Sequence, residues 1–254
     1  MINLPPITKQ QYQLILLILK FRYTTSDLTS KYFNHKDNKT AKDWLRDLTE
    51  KGYLNIIKKP KDITAPYIYC LAQKTRHLVK NEKTLNINMS NYFYREKNRS
   101  DEFININLML LNLYIKLKNN LKENEQLHFY NKHEIKNFKE FPKDADAYIA
   151  LQKKTITKRY FVDYLTGKKN SEKSFKFNIH KYFKYFSDGS WQAFYDKKLP
   201  DIVIITDNER RRNHAFHYCL AKLNKSFEEF NIYLTTKDHI RFNQDISKLW
   251  MKVK

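Results

Sequence analysis

Apolar positions near the start of the chain recur at helical spacing. Leu14, Leu17 and Ile18 share one face of a segment from Lys9 to Phe21, which predicts a helix there. Thr25-Ser-Asp-Leu then opens a short second helix, with Thr25 or Ser26 able to cap it. Ala41, Trp44, Leu45 and Leu48 predict a third helix over 39–51, capped by Asn38. Gly52 stands where a left-handed residue commonly ends such a helix. The pattern next becomes strand-like over 53–57 and 67–71, and Lys58-Lys-Pro-Lys-Asp-Ile-Thr-Ala-Pro joins the two runs. Three helices and a two-stranded hairpin are the order of a winged helix-turn-helix, expected to occupy residues 1–80.

Residues 81–101 are polar and without sustained period, which reads as a linker. A helix is expected over 103–118, with Ile106, Leu110, Leu113 and Leu117 on one stripe, although its opening Phe-Ile-Asn-Ile-Asn also suits a strand. Strands are expected at 127–130, 146–151, 160–165, 202–206 and 232–235. A basic connector, 152–159, joins the second and third of these. A helix over 172–186 should bury Phe175, Ile179 and Phe183, and another should begin near Asn208. The stretch holding Trp250 is weakly helical. The fold class is therefore α+β: a winged helix followed by a mixed α/β domain over 102–254.

Charge turns this architecture toward a partner. With 48 Lys and Arg against 27 Asp and Glu, the formal net charge is +21. AT-rich coding raises lysine for no functional reason, but it permits Asp and Glu equally. An excess this large suits double-stranded DNA, whose phosphates supply most non-specific affinity. In the winged-helix reading the exposed face of the third helix shows Lys39, Lys42, Asp43 and Arg46, with Lys36, Asn38 and Thr40 at its entrance; Lys58, Lys59 and Lys61 lie on the wing. The lysines suit phosphate, while Arg46 and Asn38 suit base edges. The competing reading is a protein-docking module or a solvated basic face. Cys70 and Cys219 are far apart among apolar residues and read as reduced core thiols. The longest aliphatic run, 14–19, is too short to span a bilayer and no secretory signal is visible, so the expected setting is cytoplasmic, without membrane. Three glycines leave no Gly-rich phosphate loop, which argues against an ATPase.

The candidate chemistry lies in Asp-Ala-Tyr-Ile-Ala-Leu and Tyr-Phe-Val-Asp-Tyr-Leu. Paired as a hairpin, they bring Asp146 and Asp163 near the ends of adjacent strands, where two carboxylates can share Mg²⁺. This resembles the PD-(D/E)XK nuclease pattern, whose lysine position is here Leu165. Lys168, Lys169 or Lys181 would have to supply the charge, and Lys181 is favoured because a helix holds it. Asp144 rivals Asp146, and Glu134 is a further carboxylate. The plain alternative is two ordinary strand-end aspartates. Glu209-Arg-Arg-Arg-Asn-His, opening a helix, suits either phosphate or a solvated face.

Nearly the whole chain resembles the replication-relaxation family of plasmids and mobile elements. The likeness rests on Thr24-Thr-Ser-Asp-Leu, on Thr40-Ala-Lys-Asp-Trp-Leu-Arg-Asp-Leu-Thr-Glu-Lys-Gly-Tyr-Leu and on Tyr67-Ile-Tyr-Cys-Leu. Ala145-Asp-Ala, Tyr160-Phe-Val-Asp, Lys181-Tyr-Phe-Lys-Tyr and Pro200-Asp-Ile-Val-Ile-Ile-Thr carry it in the second half. The resemblance implies a winged helix fused to a restriction-endonuclease-like domain, serving plasmid replication or DNA relaxation. Family members commonly have Glu at the position of Asp163 and an acid at that of Leu165. Two functions are then expected to compete: a Mg²⁺-dependent nickase or nuclease, and a catalytically inactive DNA-binding regulator of replication or transcription. A homodimer and replication or transfer proteins are the further candidate partners.

Overall fold

A computed structural model describes residues 4–58, 66–80, 92–166, 172–195, 198–224, 229–243 and 249–253. The chain forms two compact units, Met1–Ile115 and Lys116–Lys254. The architecture is α+β, with a helix-rich first unit and a mixed sheet in the second.

In the first unit α1 (Lys9–Phe21) is opened by a capping box: the Thr8 hydroxyl accepts from the Gln11 amide at 3.2 Å, and the Gln11 side chain accepts from the Thr8 amide at 3.0 Å. A two-residue strand, β1 (Tyr23–Thr24), leads to α2 (Ser26–Phe33), which Thr25 caps through the Leu28 amide. Helix α3 (Lys39–Glu50) buries Ala41, Leu45 and Leu48 against the core that also holds Leu14, Ile15 and Ile18. Gln11 Nε2 donates to Asp47 Oδ2 at 2.7 Å, tying α1 to α3. Asn38 stands at the N-cap position of α3, as expected, but its side chain makes no capping hydrogen bond. Its backbone is already helical, and Asp37 Oδ1 instead accepts from the Lys39 amide at 2.8 Å. Gly52 has φ +77° and ends the helix as the sequence requires.

Strands β2 (Leu54–Lys58) and β3 (Ile68–Leu71) pair antiparallel, and β1 adds to the other edge of β3, giving the order β1-β3-β2. The short helices α4 (Thr75–Leu78) and α5 (Tyr92–Arg95) and a 3₁₀ turn, Glu96–Asn98, follow. The segment read as a linker contributes buried Phe93 and Glu96 to this unit, with the Glu96 carboxylate paired to Arg22. Helix α6 (Asp101–Asn119) is helical from its first turn, so its opening does not form the alternative strand; the division between units falls inside it.

The second unit is a six-stranded sheet in the order β4-β5-β6-β7-β8-β9. Strand β4 (Glu125–Asn131), followed by α7 (Lys132–Ile135), pairs antiparallel with β5 (Ala147–Lys153), which forms a hairpin with β6 (Ile156–Leu165). The basic stretch between β5 and β6 is mostly strand. Only Lys154 and Thr155 turn, with Lys154 at φ +52°, because the register runs out to Lys153 opposite Ile156. Helix α8 (Glu172–Ser187) crosses to β7 (Asp201–Thr206), parallel to β6. Helix α9 (Glu209–Leu223), capped by Asn208, crosses to β8 (Ile232–Thr236), also parallel. After α10 (Lys237–Phe242), β9 (Met251–Lys252) closes the edge, so Trp250 precedes a strand where a helical stretch was expected. One sheet face, with Tyr148, Phe161, Leu165, Ile204 and Leu234, packs on Phe175, Ile179, Tyr182 and Phe186 of α8 and on Ala215 and Cys219 of α9. Burial pushes the Cys219 thiol up to about 12, as expected of an inert core cysteine. Among the described residues no helix is long and apolar enough to cross a membrane.

Candidate functional site

Two regions carry the sequence-predicted residues. On α3 the helical period separates a buried stripe from an outer face. Lys39, Thr40, Lys42 and Arg46 are exposed on that face, as is Lys36 just before the helix, while Asn38 is half-buried. Arg46 donates to Asp43 Oδ1 at 2.9 Å, an open pair that leaves most of the guanidinium in water. Trp44 is half-buried and sits edge-on against Phe33 and His35, with ring centroids 5.2 and 4.9 Å away. Lys58 ends β2; Lys59 and Lys61 lie outside the described residues.

The second region is the Asp146 end of the β5–β6 hairpin. Continuing the register Ala147↔Val162 by one step brings Asp146 beside Asp163, and the Asp146 amide donates to the Val162 carbonyl at 3.0 Å. Both side chains are buried, at 2% and 5% exposure. A buried carboxylate must find donors, and Asp146 has them within its own neighbourhood. Its Oδ2 accepts from the Tyr164 amide at 3.0 Å, and Lys132 Nζ stands 3.7 Å from its Oδ1. Lys132 also donates to the Asp144 carbonyl at 3.0 Å.

Asp163 shares its sheet face with Phe161 and Leu165, toward α8. There Tyr182 is buried beside Asp163. Burial first, then the negative charges of Asp163, Asp146 and Asp144, hold the Tyr182 phenol well above its ordinary range. The other predicted members fall elsewhere. Lys181 is ion-paired with Asp144, whose carboxylate is open to solvent. Leu165, at the lysine position, is 4% exposed and part of the core. Glu134 is consumed locally, its Oε2 accepting from the Asn131 amide at 2.8 Å. Lys168 and Lys169 lie outside the described residues. On α8 the buried positions are Phe175, Ile179, Tyr182 and Phe186; Phe183 is only partly buried, against Phe230.

Sequence reasoning missed Lys132 and Tyr182. Lys132 lies two residues past the 127–130 run, just beyond the end of β4, and its amide donates to the Asp146 carbonyl at 2.9 Å. The Asp146 oxygens already face an amide and an ammonium, and no third acid, histidine or cysteine among the described residues completes a cluster that could hold a metal.

No family model matches the chain, and no curated protein matches it. Among solved structures it is weakly similar to restriction endonuclease FokI, at 12% identity and TM-score 0.34, over 91% of this chain and 43% of that one. It is similar also to restriction endonuclease FokI bound to DNA, at 10% identity and TM-score 0.29, over 93% and 45%. The chain thus spans less than half the length of that endonuclease, and a likeness this weak says nothing about activity.

Proposed function

We propose that this chain is a DNA-binding protein whose first unit is a winged helix-turn-helix reading duplex DNA through α3. In this reading its second unit is a restriction-endonuclease-like scaffold without catalytic activity. The observation that carries the proposal is the outer face of α3, where Lys39, Thr40, Lys42 and Arg46 are all exposed beside a hairpin. Solvated cations on one helix face can exchange water and counterions for phosphate at little cost, and the formal charge of +21 adds a long-range attraction to it. The sequence resemblance to the replication-relaxation family supports a setting in plasmid or mobile-element replication, or in transcription control. The scaffold half of the reading rests on Leu165 in the core and on Asp146 already satisfied by Tyr164 and Lys132.

A Mg²⁺-dependent nickase is the second reading, favoured only by the neighbouring, buried positions of Asp146 and Asp163. Fluorescence anisotropy of the full chain on a labelled duplex, repeated across salt concentrations, tests the first. Binding should weaken steeply as salt rises. Absence of binding at low salt would leave α3 as a protein-docking face.

A further inference from the structure

Helix α8 has a second face that the packing of the unit leaves outward. Its buried stripe is Phe175, Ile179, Tyr182 and Phe186. Shifted by two residues, and so on the opposite side, run Lys173, Phe177, His180 and Lys184, all exposed. The helix carries four lysines against one acid, Glu172, and that acid is already paired with Lys176. Lys173 and Lys184 form no ion pair with another described residue. Phe177 is 59% exposed, with the Lys181 ammonium 4.5 Å from its ring centroid. The positive character continues onto α9. Lys176 lies 5.6 Å from the Tyr218 ring centroid, and His214 approaches Glu172 at 4.0 Å; Arg210, one turn before His214, is exposed.

We propose that this face is a second nucleic-acid site, separate from α3, and that its ligand is a single strand. A large exposed aromatic in a row of cations makes a poor solvent surface but a good stacking platform. Lysines on either side of Phe177 can follow a backbone while the ring receives a base. The choice of single strand over duplex rests on Phe177. A base can lie on the ring only when it is free of its own stack, whereas the lysines alone would serve either form. A protein that holds duplex on one unit and a free strand on the other would suit the opening of a DNA region.

The test uses the full chain, a short labelled oligothymidylate and a hairpin duplex. Phe177→Ala should weaken oligothymidylate binding roughly tenfold and leave duplex binding unchanged. Lys173→Ala with Lys184→Ala should lower the slope of log affinity against log salt by about 1.4 for the single strand, as two phosphate contacts are lost. Lys42→Ala with Arg46→Ala should do the converse, impairing duplex alone, so failure of the α3 reading is told apart from failure of this one. All of these side chains are exposed, and circular dichroism checks that each variant is folded. Unchanged oligothymidylate affinity in both α8 variants overturns the proposal. Equal losses on single strand and duplex overturn it too, since they describe a general basic surface. Should wild-type protein not bind oligothymidylate at low salt, the face is solvated and the proposal fails.

Discussion

The two candidate regions solve opposite problems with charge. On α3, cations stand in water with few partners, so a phosphate can replace solvent around them. At the β5–β6 hairpin, Asp146 and Asp163 are buried, and the fold itself supplies Asp146 with a backbone donor and a nearby lysine. A charge left in water is available to a ligand; a charge taken out of water and paired within the unit mainly maintains structure. The contrast teaches that two acidic residues on neighbouring strands are an ambiguous sign. What distinguishes a metal site from a structural pair is whether the oxygens are left open.

Replacing Lys39, Lys42 and Arg46 together by alanine should have the largest effect. Duplex affinity should fall roughly 100-fold at low salt, and the salt slope should shrink by about 2.7, with three contacts removed. Thermal stability should hardly change, because all three are exposed. A salt titration monitored by anisotropy checks both, and an unaltered slope would mean that phosphate is held elsewhere.

Asp146→Ala should reverse that pattern. It strips the Tyr164 amide of its acceptor inside the unit, at a cost of about 1–3 kcal/mol in denaturant unfolding. Lys132 is partly exposed and can rehydrate, so its loss of a partner adds little. Duplex affinity should be retained. A variant as stable as wild type would show that Asp146 is not a structural residue, contrary to the comparison.

Arg46→Ala alone should reduce discrimination at one base position by roughly tenfold, leaving the rest of the site's preference intact. Binding selection from a randomised duplex pool reads this directly; a uniform loss over all sequences would make Arg46 a phosphate contact.

The smallest expected effect lies between α1 and α3. Lys51, and then Gln11, hydrogen-bond the Asp47 carboxylate and hold it below the usual carboxylate range. A depressed carboxylate contributes stability above its unfolded pKa of about 3.9, and that stability is lost as pH falls through the lower folded value. Asp47 is partly open to solvent, so Asp47→Asn should cost only a few tenths of a kcal/mol at pH 7. The difference from wild type should vanish in strong acid. A difference independent of pH would point to packing alone.

Local signals made the first unit largely legible. The spacing of Leu14, Leu17 and Ile18, the Thr25 cap and the left-handed Gly52 each act over a few residues, and the helices fall where those signals place them. Asn38 keeps the N-cap position of α3, but the side-chain acceptor comes from Asp37, which offers similar chemistry one residue earlier. In the second unit the strands and the α8 helix were legible for the same reason. Lys132 was not, since its approach to Asp146 depends on the pairing of β4 with β5 across an intervening segment. The phase of α8 slipped from Phe183 to Tyr182 because both are aromatic, and only the sheet decides which of them faces inward. The lysines of the β5–β6 connector suggested a loop, yet the ladder extends through them to a two-residue turn.

The most direct test of the central claim is one agarose gel. Supercoiled plasmid is incubated with the full chain and Mg²⁺ or Mn²⁺, with EDTA and Asp146→Ala lanes beside it, and run both before and after protein removal. The account predicts plasmid retarded by the protein in every lane and still supercoiled once the protein is stripped away. Open-circular plasmid that appears only with the metal and disappears in the Asp146→Ala lane would contradict it, and would make the buried aspartates a working site.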